Sequence, residues 1–575
     1  MSATASPPDT TSFAKGLFLG EIHESLVHPY PYPSAAEAQK IKRINRDLRE
    51  WAESYDEYAT EEARWVSEED IARLGEIGAL GLYVPEELGG QGLSQTGYAR
   101  VFETVARIDP TLSVVLGVHQ SIGYKGIALF GTDEQKERWL PDLATGKKLA
   151  AFALTEPTAG SDAWNVQSRA VQQADGSFVL NGAKRYIGNG SRADVLTTFA
   201  RCEINGKDRH IALLVEKGMP GFEVGSRFDT LGLRANDLRR LTFNDVKIPA
   251  ENVLGDPGDG FRIAMSILNN GRIGLGTGSV GGAKELLDMA IAHTLEREQF
   301  GGPLSDLDLV QEKIGWMVTQ LFGLEAMCYM TCGLVDAGVP DYSLESAVCK
   351  ISGTEFLWYQ ANRALQLAGG EGYMRGNRYE KILRDIRIFP IFEGANDVLR
   401  SYVALTGMKP LGEKLQGLGG VGLNDPIGSL GVLAEYAAGR IRGTGRIEKA
   451  HPELKRHADS VGEQVGRLRG TCEKLLREHR GAIVHQGLHH RRISDAVSDI
   501  FAQVAVISRV TALFKAQGVD ASGQERLIAA SFCERAGRRV HGMLDQTERN
   551  DDKTMRSIAR LAYKRGEYGY ELAKD

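Results

Sequence analysis

Residues 386–400 read IRIFPIFEGANDVLR and place a single carboxylate, Glu393, at the end of an apolar run. Gly394 follows it and permits backbone conformations that other residues avoid, while Asn396 and Asp397 favour the start of a helix. Burial of such a carboxylate disfavours its charged form and raises its pKa towards neutrality, which suits a general base. Acids without any chemistry are also common at helix entries, and the spacing alone favours that simpler explanation. The other motifs of the chain must therefore decide the role of this carboxylate.

The composition indicates a soluble, globular chain of several domains. Of its 575 residues, 42% are apolar and 25% are charged, and this length exceeds what one hydrophobic core holds. The net charge of -6 gives no support to a nucleic-acid surface, which needs a clustered basic field. We therefore expect no nucleic-acid partner.

The cysteines and the N-terminal sequence indicate the cellular compartment of the protein. The six cysteines are scattered, with no CxxC pair and no histidine at ligand spacing, so neither a metal site nor a disulfide framework is predicted. The first residues, MSATASPPDTTSFAKG, lack the apolar core of a signal peptide and the arginine-rich pattern of a transit peptide. We expect a reducing, cytoplasmic location.

The hydrophobic pattern changes along the chain and predicts a fold that is mainly α with a central β-domain. Short alternating apolar runs between Asp-Gly, Asn-Gly and Pro-Gly turns identify the β-domain as small and antiparallel. The predicted segments are an N-terminal arm at 1–35, an N-terminal helical domain at 36–150, the β-domain at 151–260, a bundle of long helices at 261–410, and a linker with an extra C-terminal helical domain at 411–575.

Three loops carry residues suited to a phosphate-bearing or planar ligand. The stretch 152–162, FALTEPTAGSD, joins the first helical domain to the first strand and combines hydroxyls with a tight turn. Residues 297–301 (REQFG) end a helix, and 366–373 (QLAGGEGY) form a glycine-dense loop. In contrast, GTGSVG at 276–281 follows no strand, so we interpret it as close helix packing and not as a dinucleotide-binding loop.

The order of these motifs resembles the acyl-CoA dehydrogenase family across most of the chain. LTEPTAGSD, KRYIGNG, REQFG, LAGGEGY and IFEGAND follow one another as in that family, and their combination is more specific than any single motif. The stretches HPYP, LGVHQSIGYKGIALFGT, ILNNGR and RDIRIFPIFEG are similar to the very-long-chain members, which also carry an extra C-terminal helical domain.

The resemblance implies a flavoenzyme that binds FAD between the β-domain and the bundle. Glu393 would remove the α-proton of a long-chain or very-long-chain acyl-CoA while the β-hydrogen leaves as a hydride to the flavin, giving a trans-2-enoyl-CoA. The backbone N–H of Glu393 would help to stabilise the enolate, as an oxyanion hole does. Electrons would pass to an electron-transferring flavoprotein, within fatty acid β-oxidation.

The resemblance also assigns binding residues. It gives the substrate site as Gly123, Gly126, Ser161, Asn269, Arg272, Phe392 and Gly394. It gives the cofactor site as Phe152, Leu154, Thr155, Gly160, Ser161, Tyr186, Gly188, Arg297, Phe300, Gln366, Gly370, Ala395 and Asp397. Of these, Arg297, Phe300, Gln366 and Gly370 would reach the FAD of a neighbouring subunit, which implies a homodimer.

Gly188 departs from the family pattern, because members usually carry a hydroxyl there, close to the reacting flavin atom. This departure keeps open the alternative of a catalytically weak member that acts in assembly or interaction. A second alternative is an acyl-CoA oxidase, whose members also carry a C-terminal helical extension.

Two further expectations concern the acyl chain and the membrane. A slot of about 20 Å is needed for sixteen or so carbons, and the resemblance puts its floor at Gly123 and Gly126; the alternative is that both glycines serve only close helix packing. The segment 411–449 mixes apolar runs with basic residues, which favours peripheral contact with the inner membrane; the alternative is a solvated linker.

Overall fold

The computed structural model of the protein describes residues 12–419 and 445–570. Part of the predicted N-terminal arm, and residues 420–444 of the segment expected to contact a membrane, lie outside the described residues. The predicted fold class is confirmed: helices precede and follow a β-domain, and further long helices close the chain.

The first part of the chain is helical because apolar residues recur at helical spacing behind well-placed caps. The serines Ser34, Ser67 and Ser94 each accept a hydrogen bond from the N–H three residues ahead, which satisfies a free donor at a helix start. The helices are α1 (Phe13–Phe18), α2 (Glu24–Val27), α3 (Ala35–Ala52), α4 (Glu57–Ala63), α5 (Glu68–Ile77), α6 (Gln95–Ile108), α7 (Pro110–Leu116), α8 (Lys125–Phe130) and α9 (Asp133–Ala144).

A π-helical stretch, Gly117–Gly123, connects α7 to α8. Helices with this wider turn are rare and often occur at functional sites. Its residues from His119 to Gly123 are buried between the first helical domain and the rest of the molecule. The stretch is helical, as expected for the domain at 36–150, but with an irregularity that the sequence pattern did not predict.

The β-domain is one seven-stranded sheet with the order β1-β4-β2-β3-β7-β6, and β5 pairs with β4. Most neighbours are antiparallel, as predicted, but β4 pairs in parallel with β1 and, at one position, with β2. The strands are β1 (Ala150–Ala153), β2 (Arg169–Gln172), β3 (Phe178–Ile187), β4 (Val195–Ile204), β5 (Lys207–Glu216), β6 (Phe222–Arg227) and β7 (Arg239–Ile248).

Long helices form the bundle, and small residues allow the helices at its centre to pack closely. A Cβ on Gly276 would lie 3.1 Å from Cβ of Cys349, which confirms that GTGSVG serves close packing. A short hairpin of β8 (Glu298–Gln299) and β9 (Gly302–Pro303) follows the first helix. The bundle helices are α10 (Gly260–Glu296), α11 (Asp308–Asp336), α12 (Ser343–Tyr373), α13 (Arg378–Ile386) and α14 (Asn396–Gly419).

The C-terminal helical domain packs on the bundle through its longest helix. This helix contacts α11 and α14, and its Arg509 pairs with Glu325 of α11 at 2.7 Å. Within residues 445–570 its helices are α15 (Lys455–His479), α16 (Gly487–Gln517), α17 (Gly523–Asp545) and α18 (Asp552–Arg565).

Two helices in the described part of the chain are long and apolar enough to cross a bilayer, namely α11 and α16. Their most apolar windows are 67% and 78% buried inside the structure. They therefore look like core helices, and their hydropathy is weak evidence for a membrane span.

Candidate active site

Glu393 lies in the short connection between α13 and α14, which folds back on itself in successive turns. The N–H of Phe392 donates to the carbonyl of Ile388, and that of Asn396 to the carbonyl of Pro390. Glu393 has φ 57° and Gly394 has φ 93°, so the chain makes two consecutive left-handed steps. This conformation is uncommon for a glutamate and costs on the order of 1 kcal/mol, so surrounding contacts must hold it. We call residues 393–395 the elbow.

The carboxylate of Glu393 points into the interior. Its Oε2 atom is buried and accepts no hydrogen bond within the described part of the chain. Burial raises the pKa of Glu393 from 4.5 to about 7, and the positive charges of Arg272 and Lys350 oppose part of that rise. The predicted half-buried carboxylate with a pKa near neutrality is thus present, in a state suited to accept a proton near neutral pH.

Gly271 of α10 makes room for this carboxylate. A Cβ at Gly271 would lie 3.0 Å from Oε2 of Glu393 and 2.8 Å from Cγ2 of Ile122. A side chain at position 271 would therefore occupy the space next to the carboxylate of Glu393. Of these two positions, only 393 carries an acid in this chain.

Two buried cations hold the elbow through its carbonyl oxygens. Arg272 of α10 donates from Nε to the carbonyl oxygen of Glu393 at 3.3 Å and from a guanidinium nitrogen to Asn269 at 3.0 Å. Lys350 of α12 donates from Nζ to the carbonyl oxygen of Gly394 at 2.8 Å. Arg272 and Asn269 were predicted for the site, whereas Lys350 was not.

Asn396 and Asp397 lie at the start of a helix, as predicted, but neither occupies the N-cap position before it. Helix α14 begins at Asn396, so both residues lie inside its first turn. The side chain of Asn396 instead accepts from Lys350 Nζ at 2.7 Å and donates to Thr354 and Glu355 of α12. Asp397 is exposed and does not line the cavity described next.

A cavity of about 830 Å³ opens where the first helical domain, the β-domain and the bundle meet, and Glu393 lines it. Its volume is in the range typical of small-molecule sites. Much of the wall is apolar, with Phe102, Val114, Val118, Ile122, Leu268, Leu275, Phe389, Phe392, Leu399 and Tyr402. Polar groups are fewer and include Ser161, Asn236, Asn269, Arg272 and Asp385. Such a lining suits a long apolar group with a polar head.

The β-domain side of the cavity carries most of the residues predicted for the cofactor. Phe152, Leu154, Thr155, Gly160, Ser161, Tyr186 and Gly188 all line it. A buried ion pair anchors the 152–162 loop. Nζ of Lys184 lies 2.7 Å from Oε1 of Glu156 and 3.1 Å from the carbonyl oxygen of Leu154. Sequence reasoning missed this anchor, although both residues lie inside the quoted motifs.

Several polar groups on this side have no partner in the described part of the chain. The hydroxyl groups of Thr155 and Ser161 make no hydrogen bond there, and the buried Oδ1 of Asn236 accepts none. A Cβ at Gly160 would meet nothing within 4 Å. Tyr186 has φ 60° and a ring that is 50% exposed. An open cradle with free hydroxyls beside an accessible aromatic ring fits a large planar cofactor with phosphates.

The other predicted cofactor residues lie outside this cavity. Arg297, Phe300, Gln366 and Gly370 are exposed, and the Phe300 ring at the tip of the β8–β9 hairpin is 93% exposed. Ala395 is partly buried in the elbow and does not line the cavity. The assignment of these residues to a cofactor stays a prediction.

The prediction that Gly123 and Gly126 form the floor of an acyl-chain pocket stays a prediction. Neither glycine lines the cavity, although the preceding Ile122 does. A Cβ at Gly123 would lie 2.6 Å from the carbonyl oxygen of Val118, and one at Gly126 would lie 2.9 Å from Ile267. These short distances show that both glycines allow neighbouring segments to pack closely, which is compatible with the alternative interpretation.

Comparison with known families covers the chain in four parts. The acyl-CoA dehydrogenase N-terminal, middle and C-terminal domains match residues 39–147, 151–246 and 258–407, and the ACAD9/ACADV C-terminal domain matches residues 452–568.

Relatives and solved structures agree with these matches. The mitochondrial very long-chain specific acyl-CoA dehydrogenase of Rattus norvegicus is 37% identical over 97% of this chain and 88% of its own. The probable acyl-CoA dehydrogenase FadE10 of Mycobacterium tuberculosis is 33% identical over 95% of this chain and 87% of its own. An acyl-CoA dehydrogenase from Bacillus anthracis, solved with FAD, superposes with a TM-score of 0.80 at 28% identity, covering 95% of this chain and 94% of that one. The protein described here therefore belongs to the acyl-CoA dehydrogenase family.

Proposed function

We propose that this protein is an FAD-dependent dehydrogenase that converts long-chain or very-long-chain acyl-CoA into trans-2-enoyl-CoA. The observation that carries the proposal is the buried carboxylate of Glu393, which lines an apolar cavity opposite a cradle suited to FAD. Family membership supports the reaction class, and the rat relative supports the chain length.

Proton removal falls to Glu393. Because burial raises its pKa to about 7, the carboxylate is a stronger base than an exposed glutamate and titrates near neutral pH. Its Oε2 has no competing hydrogen bond in the described residues, so it is free to accept the α-proton. FAD, when bound, accepts the β-hydrogen as a hydride.

The backbone of the elbow supplies a donor for the thioester carbonyl. In the described structure the N–H of Glu393 donates to no protein atom, while its carbonyl oxygen is held by Arg272. A fixed N–H aimed at the developing enolate oxygen is worth several kcal/mol, about 3 for one donor of an oxyanion hole. Glu393 thus carries both a buried carboxylate and a backbone N–H that is free in the described residues.

The residues that would hold FAD are those of the β-domain wall. Thr155 and Ser161 offer free hydroxyls to polar groups of the cofactor, and Tyr186 offers a ring face. Arg297, Phe300, Gln366 and Gly370 are exposed and available to the FAD of a second subunit, which supports a homodimer. Family membership supports an electron-transferring flavoprotein as the acceptor of the electrons.

Peripheral membrane contact through residues 411–449 is a further part of the proposal, together with a cytoplasmic location. The basic and apolar composition of this segment supports it. Flotation with anionic liposomes at low salt tests it, and a protein that stays wholly in the soluble fraction would contradict it.

The main proposal is tested by the colour of the purified protein and by its turnover of an acyl-CoA substrate. We expect the purified protein to be yellow, to bleach on anaerobic addition of palmitoyl-CoA, and to yield trans-2-enoyl-CoA. A colourless protein, or a flavin that palmitoyl-CoA and longer thioesters leave oxidised, would contradict it. Slow reoxidation of the reduced flavin by air is expected, and fast reoxidation would favour the oxidase alternative.

A further inference from the structure

The elbow that carries Glu393 is strained, and the described contacts that fix its two left-handed residues come from two buried cations. Arg272 holds the carbonyl of Glu393, and Lys350 holds the carbonyl of Gly394. The Lys350 side chain is fully buried, at 0% exposure. A buried ammonium group needs hydrogen bonds to offset its desolvation, and two acceptors of the elbow region each take one from Lys350.

The second acceptor of Lys350 extends the contact into a polar network. Asn396 Oδ1 accepts from Nζ at 2.7 Å, and Asn396 Nδ2 donates to Thr354 Oγ1 at 3.1 Å and to Glu355 Oε1 at 3.1 Å. Glu355 in turn forms two bonds of 2.7 Å with the guanidinium of Arg400. Every polar atom of the Asn396 side chain is therefore committed, and the amide has one orientation that satisfies the network.

We propose that Lys350, held by Asn396, is a positioning residue for the catalytic base: its ammonium group fixes the elbow backbone and places a positive charge beside the Glu393 carboxylate. The proposal rests on the dehydrogenase function proposed above. Lys350 does not line the cavity, so it acts on the reaction through Glu393 and not by touching the substrate.

The charged groups around Lys350 are consistent with this role. Burial lowers the pKa of Lys350 to about 7, the charges of Glu393 and Glu355 oppose the drop, and those of Arg272 and Arg400 add to it. In the other direction, Lys350 favours the ionised form of Glu393. Loss of the ammonium group therefore raises the pKa of Glu393 further.

The test is Lys350→Met, which keeps an unbranched apolar stem one atom shorter than lysine and removes the donor and the charge. We expect the protein to keep its flavin, the KM for palmitoyl-CoA to change little, and flavin reduction in a single turnover to slow by about 10- to 100-fold, as a displacement of the base by 1 Å would cause. The acid limb of the rate profile is expected to move up by roughly one pH unit, because an opposite charge near the carboxylate is gone. A crystal structure of the variant should show the Glu393 carboxylate displaced.

Lys125→Met is the matched control, because Lys125 is also a buried lysine with a pKa lowered to about 7 by burial, and it does not line the cavity. This control is expected to lose stability with no change in the pH profile. Unchanged rate, profile and elbow geometry in Lys350→Met would overturn the proposal, as would a profile shift of equal size in Lys125→Met.

A second variant decides the matter if Lys350→Met does not fold. Asn396→Ala removes one of the two acceptors and leaves the bond between Lys350 and Gly394, so a smaller loss of rate is expected, with flavin retained. A rate within twofold of the wild type would then reject the proposal. Because the wild type is assayed alongside, its own failure to reduce flavin with acyl-CoA would reject the proposed function separately, and the crystal structure would still report on the elbow.

Discussion

Replacement of Glu393 by glutamine tests the base with the least change in shape. The substitution keeps the size of the side chain but removes its ability to take a proton at Oε2, which is buried and unpartnered in the described structure. General base catalysis contributes about 10²- to 10⁴-fold, which corresponds to about 2.7–5.4 kcal/mol of barrier. We therefore expect the rate of flavin reduction to fall by at least two orders of magnitude while FAD stays bound.

The same substitution has an opposite effect on stability, and the size follows from the pKa. Folding raises the pKa of Glu393 from 4.5 to about 7, so above neutral pH the folded protein carries a buried charge that costs roughly 3 kcal/mol. Glutamine removes this cost. Glu393→Gln is expected to raise the Tm at pH 8 and to change it much less at pH 4.5, where the carboxylate of the folded protein is already protonated.

Anaerobic stopped-flow reduction by palmitoyl-CoA and thermal unfolding at the two pH values measure both effects. Glu345→Gln is the matched control, because burial also raises the pKa of Glu345, which lies on α12 outside the cavity lining. The control is expected to share the stabilisation at pH 8 and to keep the wild-type rate. A Glu393→Gln variant that reduces its flavin within tenfold of the wild-type rate would refute the assignment of the base.

Three further predictions follow from the pKa of Glu393 and from the space around two glycines of the cavity. The kcat/KM of the wild type is expected to fall tenfold per pH unit below about 7, since the base must be ionised, and a flat profile between pH 5 and 8 would contradict this. Gly271→Ala puts a methyl group 3.0 Å from Oε2 of Glu393, so we expect about a 10²-fold loss of kcat with FAD retained, and a wild-type kcat would show that the carboxylate does not need this space. Gly188→Ser puts its Cβ 3.0 Å from Val118, so the rate of flavin reduction is expected to change together with Tm, and an unchanged reduction rate would show that the usual hydroxyl is dispensable here.

Sequence reasoning found the parts of the site that lie within contiguous motifs. Glu393 and the 152–162 loop carry their chemistry in short segments, and family resemblance fixed their order along the chain. The elbow also shows why a glycine follows the acid, since Gly394 has φ 93°. These features depend on local conformation, which a sequence encodes directly.

The missed residues depend on contacts between distant segments. Lys350 meets the elbow across 44 positions of the chain, and its only sequence signal is a lone lysine among small and apolar residues of a predicted helix. Gly123 and Gly126 were assigned to a pocket floor by resemblance alone; Gly123 is the last residue of the π-helical stretch, and its neighbour Ile122 lines the cavity. Because a π-turn rotates all later side chains on the helix, no periodic pattern reveals which face they present.

The C-terminal helical domain contacts the active-site region indirectly, through the last residue of the stretch 386–400. Within the described residues the cavity lining ends at Tyr402, so this domain contributes no group to the cavity. Its helix α16 instead presents Asp495, whose Oδ1 accepts from Nε of Arg400 at 2.7 Å, while the rest of that guanidinium binds Glu355. Since Glu355 also orients Asn396, the domain holds the first turn of α14 from outside, at the point where the elbow ends. The stretch 386–400 thus begins with apolar residues packed in the bundle and ends with Arg400, which the C-terminal domain binds. Glu393 lies between these two anchored ends.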